Sequence, residues 1–264
     1  MSGPRRIVCL TEEPTEVLYA IVEEERIVCI STFTLRPARA RKEKPRVSAF
    51  TSAHTDEIVA LAPDLVIGFS DIQADIARDL IGRGIEVWIS NHRTVAGILD
   101  YIHRLGAMVG AHHRTDVYAA GLAAHLAAVE AAARALPRRP RVYFEEWDDP
   151  MITSIGWVAE LIRLAGGDDL FPERAGAPLA KDRIIADGDE VVRRSPDIII
   201  GSWCGKRFRP QAVTDRPGWA AVPAVADGRL HEIDSSLILQ PGPAALSDGI
   251  DELHRIIRSW AVQQ

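Results

Sequence analysis

A stretch of fourteen residues is written twice in this chain. EIVALAPDLVIGFS (57–70) and EVVRRSPDIIIGSW (190–203) agree at Glu57/Glu190, Val59/Val192, Pro63/Pro196, Asp64/Asp197, Ile67/Ile200 and Gly68/Gly201. The copies lie 133 residues apart in a chain of 264, one in each half. In each, an amphipathic stretch stops at a proline, which lacks an amide donor and turns the residue before it away from helix. An apolar run follows and closes on glycine. The repeat therefore predicts one helix-to-strand unit per half, and two lobes of related topology.

The rest of the chain fits that frame. Apolar, β-branched runs predict strands at 6–10, 26–30, 64–69, 85–89, 141–145, 197–201 and 229–233. Helical patterns fall near 14–23, 55–62, 71–82, 94–110, 154–166, 187–195 and 243–260. Strands that are apolar throughout and separated by helices imply parallel sheets covered on both faces. The fold class is α/β, with two Rossmann-like lobes. Residues 112–136 are alanine-rich, with Leu122, Leu126, Val129, Ala133 and Leu136 on one stripe. They predict a single helix about 37 Å long, ended by PRRPR. The expected division is an N-terminal lobe over 1–110, a rigid connecting helix over 111–137 and a C-terminal lobe over 138–264, with a ligand cleft between the lobes.

Composition narrows the function. A net charge of −6 opposes nucleic-acid binding, which usually requires a basic face. No apolar run reaches the roughly 18 residues of a membrane span, so no membrane insertion is expected. The start, MSGPRRIVCL, shows no secretory signal. As written the chain reads as cytoplasmic; with a leader removed it would be periplasmic or lipid-anchored. Three cysteines form no disulfide framework: Cys9 and Cys29 sit in strand-like runs and Cys204 in a loop. P-loop, GxGxxG, GxSxG and HExxH motifs are absent, and no enzyme is indicated. His54 with Glu57 is the best metal candidate, with capping or packing at a helix start as the plainer reading.

In open parallel sheets, ligands bind beyond the carboxyl ends of the strands. The loops expected there carry Glu13, Phe33, Phe50 and Phe69 in the first half, and Trp147, Trp203 and Phe208 in the second. So many aromatics in a chain that is only 6% aromatic point to a large, flat, partly apolar ligand. Lys206, Arg207 and Arg209 would meet its carboxylates or phosphates, or form a solvated basic turn.

Four blocks carry a family resemblance: RIVCLTEEPTEVLYAI, PRVSAFTSAHTDEIVALAPDLVIG, FEEWDDPMITSIGWVAELIRLAGG and PGWAAVPAVADGRLHEIDSSLILQPGP. Together they resemble the substrate-binding proteins of iron-siderophore and cobalamin ABC transporters, the cobalamin branch most. The resemblance implies two α/β lobes joined by one backbone helix, and binding of a corrinoid or metal chelate without chemistry and without a cofactor. By position it matches Phe50 and Phe69 to ring-contacting aromatics. It sets Trp147 and Met151 on the facing loop, Trp203 on the next, and Leu237 to Leu239, with Leu239 at the end, on the last. It also implies an ABC permease as partner, met through an acidic side chain on each lobe. The first half offers Asp71 and Asp75 for this; the matching second-half stretch, CGKRFRPQAVTDRPG, departs by being mainly basic.

Two other readings stay open. Arg36, Arg207 and Arg209 suit an anionic iron-siderophore or metal-oxyanion complex. A cytosolic enzyme acting on a tetrapyrrole would need a titratable pair such as Glu13 or Glu145 with His54.

Overall fold

The two copies of the repeat fold alike, and the alikeness has a mechanical cause. In the computed structural model, which describes residues 3–48 and 54–263, each copy ends a short helix, Thr55–Ala60 or Asp189–Arg194. Each then passes a left-handed residue, Ala62 (φ 46°) or Ser195 (φ 53°), just before its proline. The aspartate after the proline reaches across to the neighbouring strand. Asp64 accepts the backbone N–H groups of Arg5 and Arg6 at 2.7 and 2.8 Å. Asp197 accepts the Arg141 N–H at 2.8 Å and its Nε at 3.2 Å. The same arginines return the favour to the helix ends: Arg6 donates to the carbonyls of Leu61 and Ala62, and Arg141 to that of Arg194. Carbonyls at and just past a helix end have no intrahelical partner.

The chain separates into two compact units, Met1–His92 with Ala96–Gly121, and Arg93–Val95 with Leu122–Gln264. The first contains strands β1 (Ile7–Cys9), β2 (Ile27–Ser31), β3 (Arg46–Ser48), β4 (Leu65–Phe69) and β5 (Val87–Ser90). They form an all-parallel sheet in the order β3-β2-β1-β4-β5. β1 and β4 are buried along their whole length, which is why they read as unbroken apolar runs. Val8, Leu10, Cys29, Ile58, Val66, Ile76 and Leu80 make a core on this sheet.

The second unit contains β6 (Arg141–Asp148), β7 (Met151–Thr153), β8 (Asp168–Asp169), β9 (Ile198–Gly201) and β10 (Leu230–Glu232). β6 is its axis, flanked by β9 and β8 in parallel and by β7 in an antiparallel hairpin. Its core gathers Tyr143, Phe171, Ile199, Trp203, Phe208 and Trp219.

The helix His112–Arg134 runs for 23 residues, about 35 Å at 1.5 Å per residue. Up to Gly121 it belongs to the first unit and from Leu122 to the second. Leu122, Leu126, Val129 and Ala133 are buried, one side of the helix every three or four residues.

Candidate functional site

A doubly wound sheet leaves a crevice where successive connections leave to opposite sides. In the first unit this point lies between β1 and β4; in the second it lies between β6 and β9.

In the second unit the crevice is organised by Glu145, which is fully buried where the pairing of β6 with β9 ends. Its carboxylate accepts the Tyr143 hydroxyl at 2.8 Å, the Trp203 Nε1–H at 3.1 Å, and both terminal nitrogens of Arg216 at 2.6 and 3.0 Å. Its backbone carbonyl accepts Ser202 N–H at 2.9 Å. One side chain thus fastens β6 to the loop after β9 and to the segment carrying Arg216. Burial first, then the Glu145 charge, lifts the Tyr143 phenol well above its ordinary range. Gly201 allows this arrangement: a Cβ there would stand 1.9 Å from the Phe208 ring, which packs edge-on against Trp203 at 5.0 Å.

Trp147 sits one pleat beyond Glu145, half-buried, with its indole N–H donated to the Asp149 carbonyl at 2.8 Å. The Lys206 ammonium lies 4.0 Å from its ring centroid and is ion-paired with Asp148. Met151, across the β6–β7 turn, is half-buried and lines a hollow of about 520 Å³ with Asp148, Asp149, Gly188, Arg216 and Trp219. Leu239 is half-buried just past the helix Ser235–Ile238, whose start is capped by Asp234 through Ser236 N–H at 2.8 Å. Arg207 is exposed.

Trp203 corrects an expectation. Placed by sequence beside Trp147 on a ligand wall, it is 2% exposed and belongs to the core, because Glu145 takes its N–H and Phe208 its edge. The basic stretch after β9 is also less basic in effect than it reads. Lys206 and Arg216 are each met by an acid of β6, Asp148 and Glu145.

In the first unit the loop after β1 enters the helix Glu12–Ala20. Glu12 and Glu13 are both buried. Burial, reinforced by the charge of Glu16, pushes their carboxyls up to about 8 and about 7. Glu12 accepts the Arg36 N–H at 3.1 Å. Glu13 Oε2 has no hydrogen-bond partner among the described residues, so a side chain expected to face ligand is enclosed instead. Phe69 closes β4 with its ring edge on His92 at 5.3 Å. Its N–H donates to Gln73 Oε1 at 2.9 Å, and Gln73 Nε2 donates to the Leu10 carbonyl at 3.3 Å, so one amide spans the crevice. Phe33, after β2, is 52% exposed. Phe50 lies outside the described residues. His54 and Glu57 are exposed at the start of the helix Thr55–Ala60. Among the described residues no three His, Cys, Asp or Glu side chains converge as a metal site, and no helix is long and apolar enough to cross a membrane.

The sequence model of one family, described as periplasmic binding protein, matches residues 7–237. The chain belongs to the periplasmic binding protein family. An uncharacterized ABC transporter substrate-binding lipoprotein of Bacillus subtilis, YvrC, is 23% identical, over 95% of this chain and 79% of the relative. The vitamin B12-binding protein of Vibrio vulnificus is 24% identical, over 91% and 86%. Among solved structures, the periplasmic vitamin B12 binding protein BtuF of Vibrio cholerae superposes with a TM-score of 0.79 at 20% identity, covering 100% of both chains. The periplasmic heme-binding protein RhuT of Roseiflexus gives 0.79 at 23% identity, covering 97% of this chain and 100% of that one. These likenesses establish the fold: two α/β lobes with mainly parallel sheets.

Proposed function

We propose that this periplasmic binding protein holds a corrinoid, or a closely related tetrapyrrole, against the loops at its strand ends, and works as the substrate-binding component of an ABC transporter. No bond of the ligand is made or broken. The observation that carries the reading is the Trp147 side chain. It is a half-buried aromatic ring fixed by its own hydrogen bond near the end of β6, and the residues that follow it, Asp148 and Asp149, line a hollow of about 520 Å³ together with Met151. An aromatic ring with charged groups at its edge, here Asp148 and Lys206, suits a flat conjugated ligand that also carries polar groups. Vitamin B12-binding relatives recur among the similar sequences and point the same way. Since relatives include a lipoprotein and a periplasmic protein, we place the work outside the cytoplasmic membrane.

A second reading, a heme or ferric chelate as ligand, is favoured by the heme-binding and Fe3+-hydroxamate structures that share the fold. One experiment separates the two: calorimetric titration with cobalamin, cobinamide, heme and a ferric hydroxamate. Saturable binding of the corrinoids alone is the expected result. Binding of heme or the hydroxamate alone would move the assignment to the second reading.

A further inference from the structure

Lys206 occupies a place that a ligand would need. Its ammonium lies over the Trp147 ring at 4.0 Å, stands 5.0 Å from the Trp203 ring centroid, and pairs with Asp148. The position is built by the loop. The Lys206 N–H donates back to the Trp203 carbonyl at 3.3 Å, through a turn with Gly205 at φ 75°. Burial pushes the Asp148 carboxyl up; the Lys206 hydrogen bond and charge, a backbone hydrogen bond and the Arg216 charge together outweigh it and keep the group below its ordinary range. Two indoles and a carboxylate around one ammonium match the chemistry that recognises organic cations. Here the chain supplies the cation itself.

The indole of Trp147 also packs against the core of the unit, and its N–H is held by Asp149. A flat molecule stacking on this ring must therefore compete with the ammonium. We propose that Lys206 is a resident occupant of the Trp147 face, displaced when ligand binds, and that the uncovered face selects a ring system carrying positive charge over an anionic one. This inference rests on the corrinoid reading and deepens it. The negative face of the indole and the Asp148 carboxylate hold an ammonium well. For the same reason they favour a cationic metal macrocycle and oppose one edged with ionised carboxylates.

The test uses the intact chain and Lys206→Met, titrated with dicyanocobinamide, which is uncharged, diaquocobinamide, which has the same ring and two positive charges, and heme. Removing the competitor should tighten dicyanocobinamide about five- to thirtyfold, the equivalent of one partly desolvated cation–π contact. The parent should prefer the diaquo form to the dicyano form by about fivefold or more. Unchanged or weaker binding by Lys206→Met overturns the displacement; preference for heme or the dicyano form overturns the charge selection. A ligand-free measurement keeps the two readings apart. The rate of Lys206 acetylation, read by mass spectrometry, should be slow in the parent and rise in Asp148→Asn. Equal rates would overturn the occupancy. Slow labelling with no corrinoid bound by either protein would overturn the corrinoid reading and the displacement, and would leave Lys206 as a structural clasp.

Discussion

Arg216 meets Glu145 with two parallel hydrogen bonds, 2.6 and 3.0 Å, inside a unit where that carboxylate has no exposed surface. A buried pair of this kind adds little net stability over apolar packing, but it is severe to break, because one charge is left without its partner. Arg216→Met should therefore cost about 3–5 kcal/mol in urea unfolding. Glu145→Gln combined with Arg216→Met should recover part of that loss. A double variant no more stable than Arg216→Met alone would show that Arg216 acts through packing on Trp219, over whose ring it lies at 4.6 Å.

Gly201→Ala puts a methyl carbon where the Phe208 ring now stands, 1.9 Å away. Overpacking should cost about 1–3 kcal/mol or more. Phe208→Leu in the same chain should relieve some of it, since the obstruction is a side chain and not backbone. Equal denaturation midpoints for Gly201→Ala and its parent would refute the close approach.

Glu13 gives the pH dependence a sign. Its folded carboxyl titrates at about 7, against an ordinary value of 4.5. Between those values the folded chain holds a proton that the unfolded chain has released. Stability must then fall as pH rises from about 4.5 to about 7, and level off above. Glu13→Gln removes this penalty. Its Tm advantage over the parent should be small at pH 4.5, grow through neutrality and plateau; an advantage independent of pH would exclude titration as the cause.

Trp147→Ala should weaken binding of the proposed corrinoid by about 2–4 kcal/mol, roughly 30- to 900-fold. Its unfolding midpoint should shift far less than that of Trp203→Ala, since Trp203 is the enclosed member of the pair. Calorimetry and thermal melts on both variants decide the matter. Equal ligand loss from both would remove the distinction drawn between them.

What the sequence revealed and what it hid divide along physical lines. Every strand of four or more residues was legible; where both faces are buried, as in DLVIG and DIIIG, a continuous apolar run gives it away. β3, β7 and β8 were not, although β1 and β10, themselves only three residues long, were. Arg-Val-Ser and Asp-Asp carry no periodicity, and their pairing is decided by the strands beside them. The site was legible as a set of loops but not as a set of orientations. Trp147 and Trp203 are the same residue type in similar contexts, and it is the distant Glu145, 58 positions before Trp203, together with Phe208, that encloses the second. Arg216 lies 71 positions from that carboxylate, and nothing in a basic turn names its partner.

The aspartate clamps sit where β4 and β9 begin, while the aromatic and charged loops sit where strands end. The Pro-Asp fastenings and the proposed ligand-facing loops thus lie at opposite margins of the sheets. If the proposed site holds, a lineage carrying this architecture can exchange one cargo for another by editing strand-end and loop residues such as Trp147 or Lys206, with the Pro-Asp fastenings untouched. Divergence in what is carried, beside constancy in how the carrier is assembled, is the history such a layout permits.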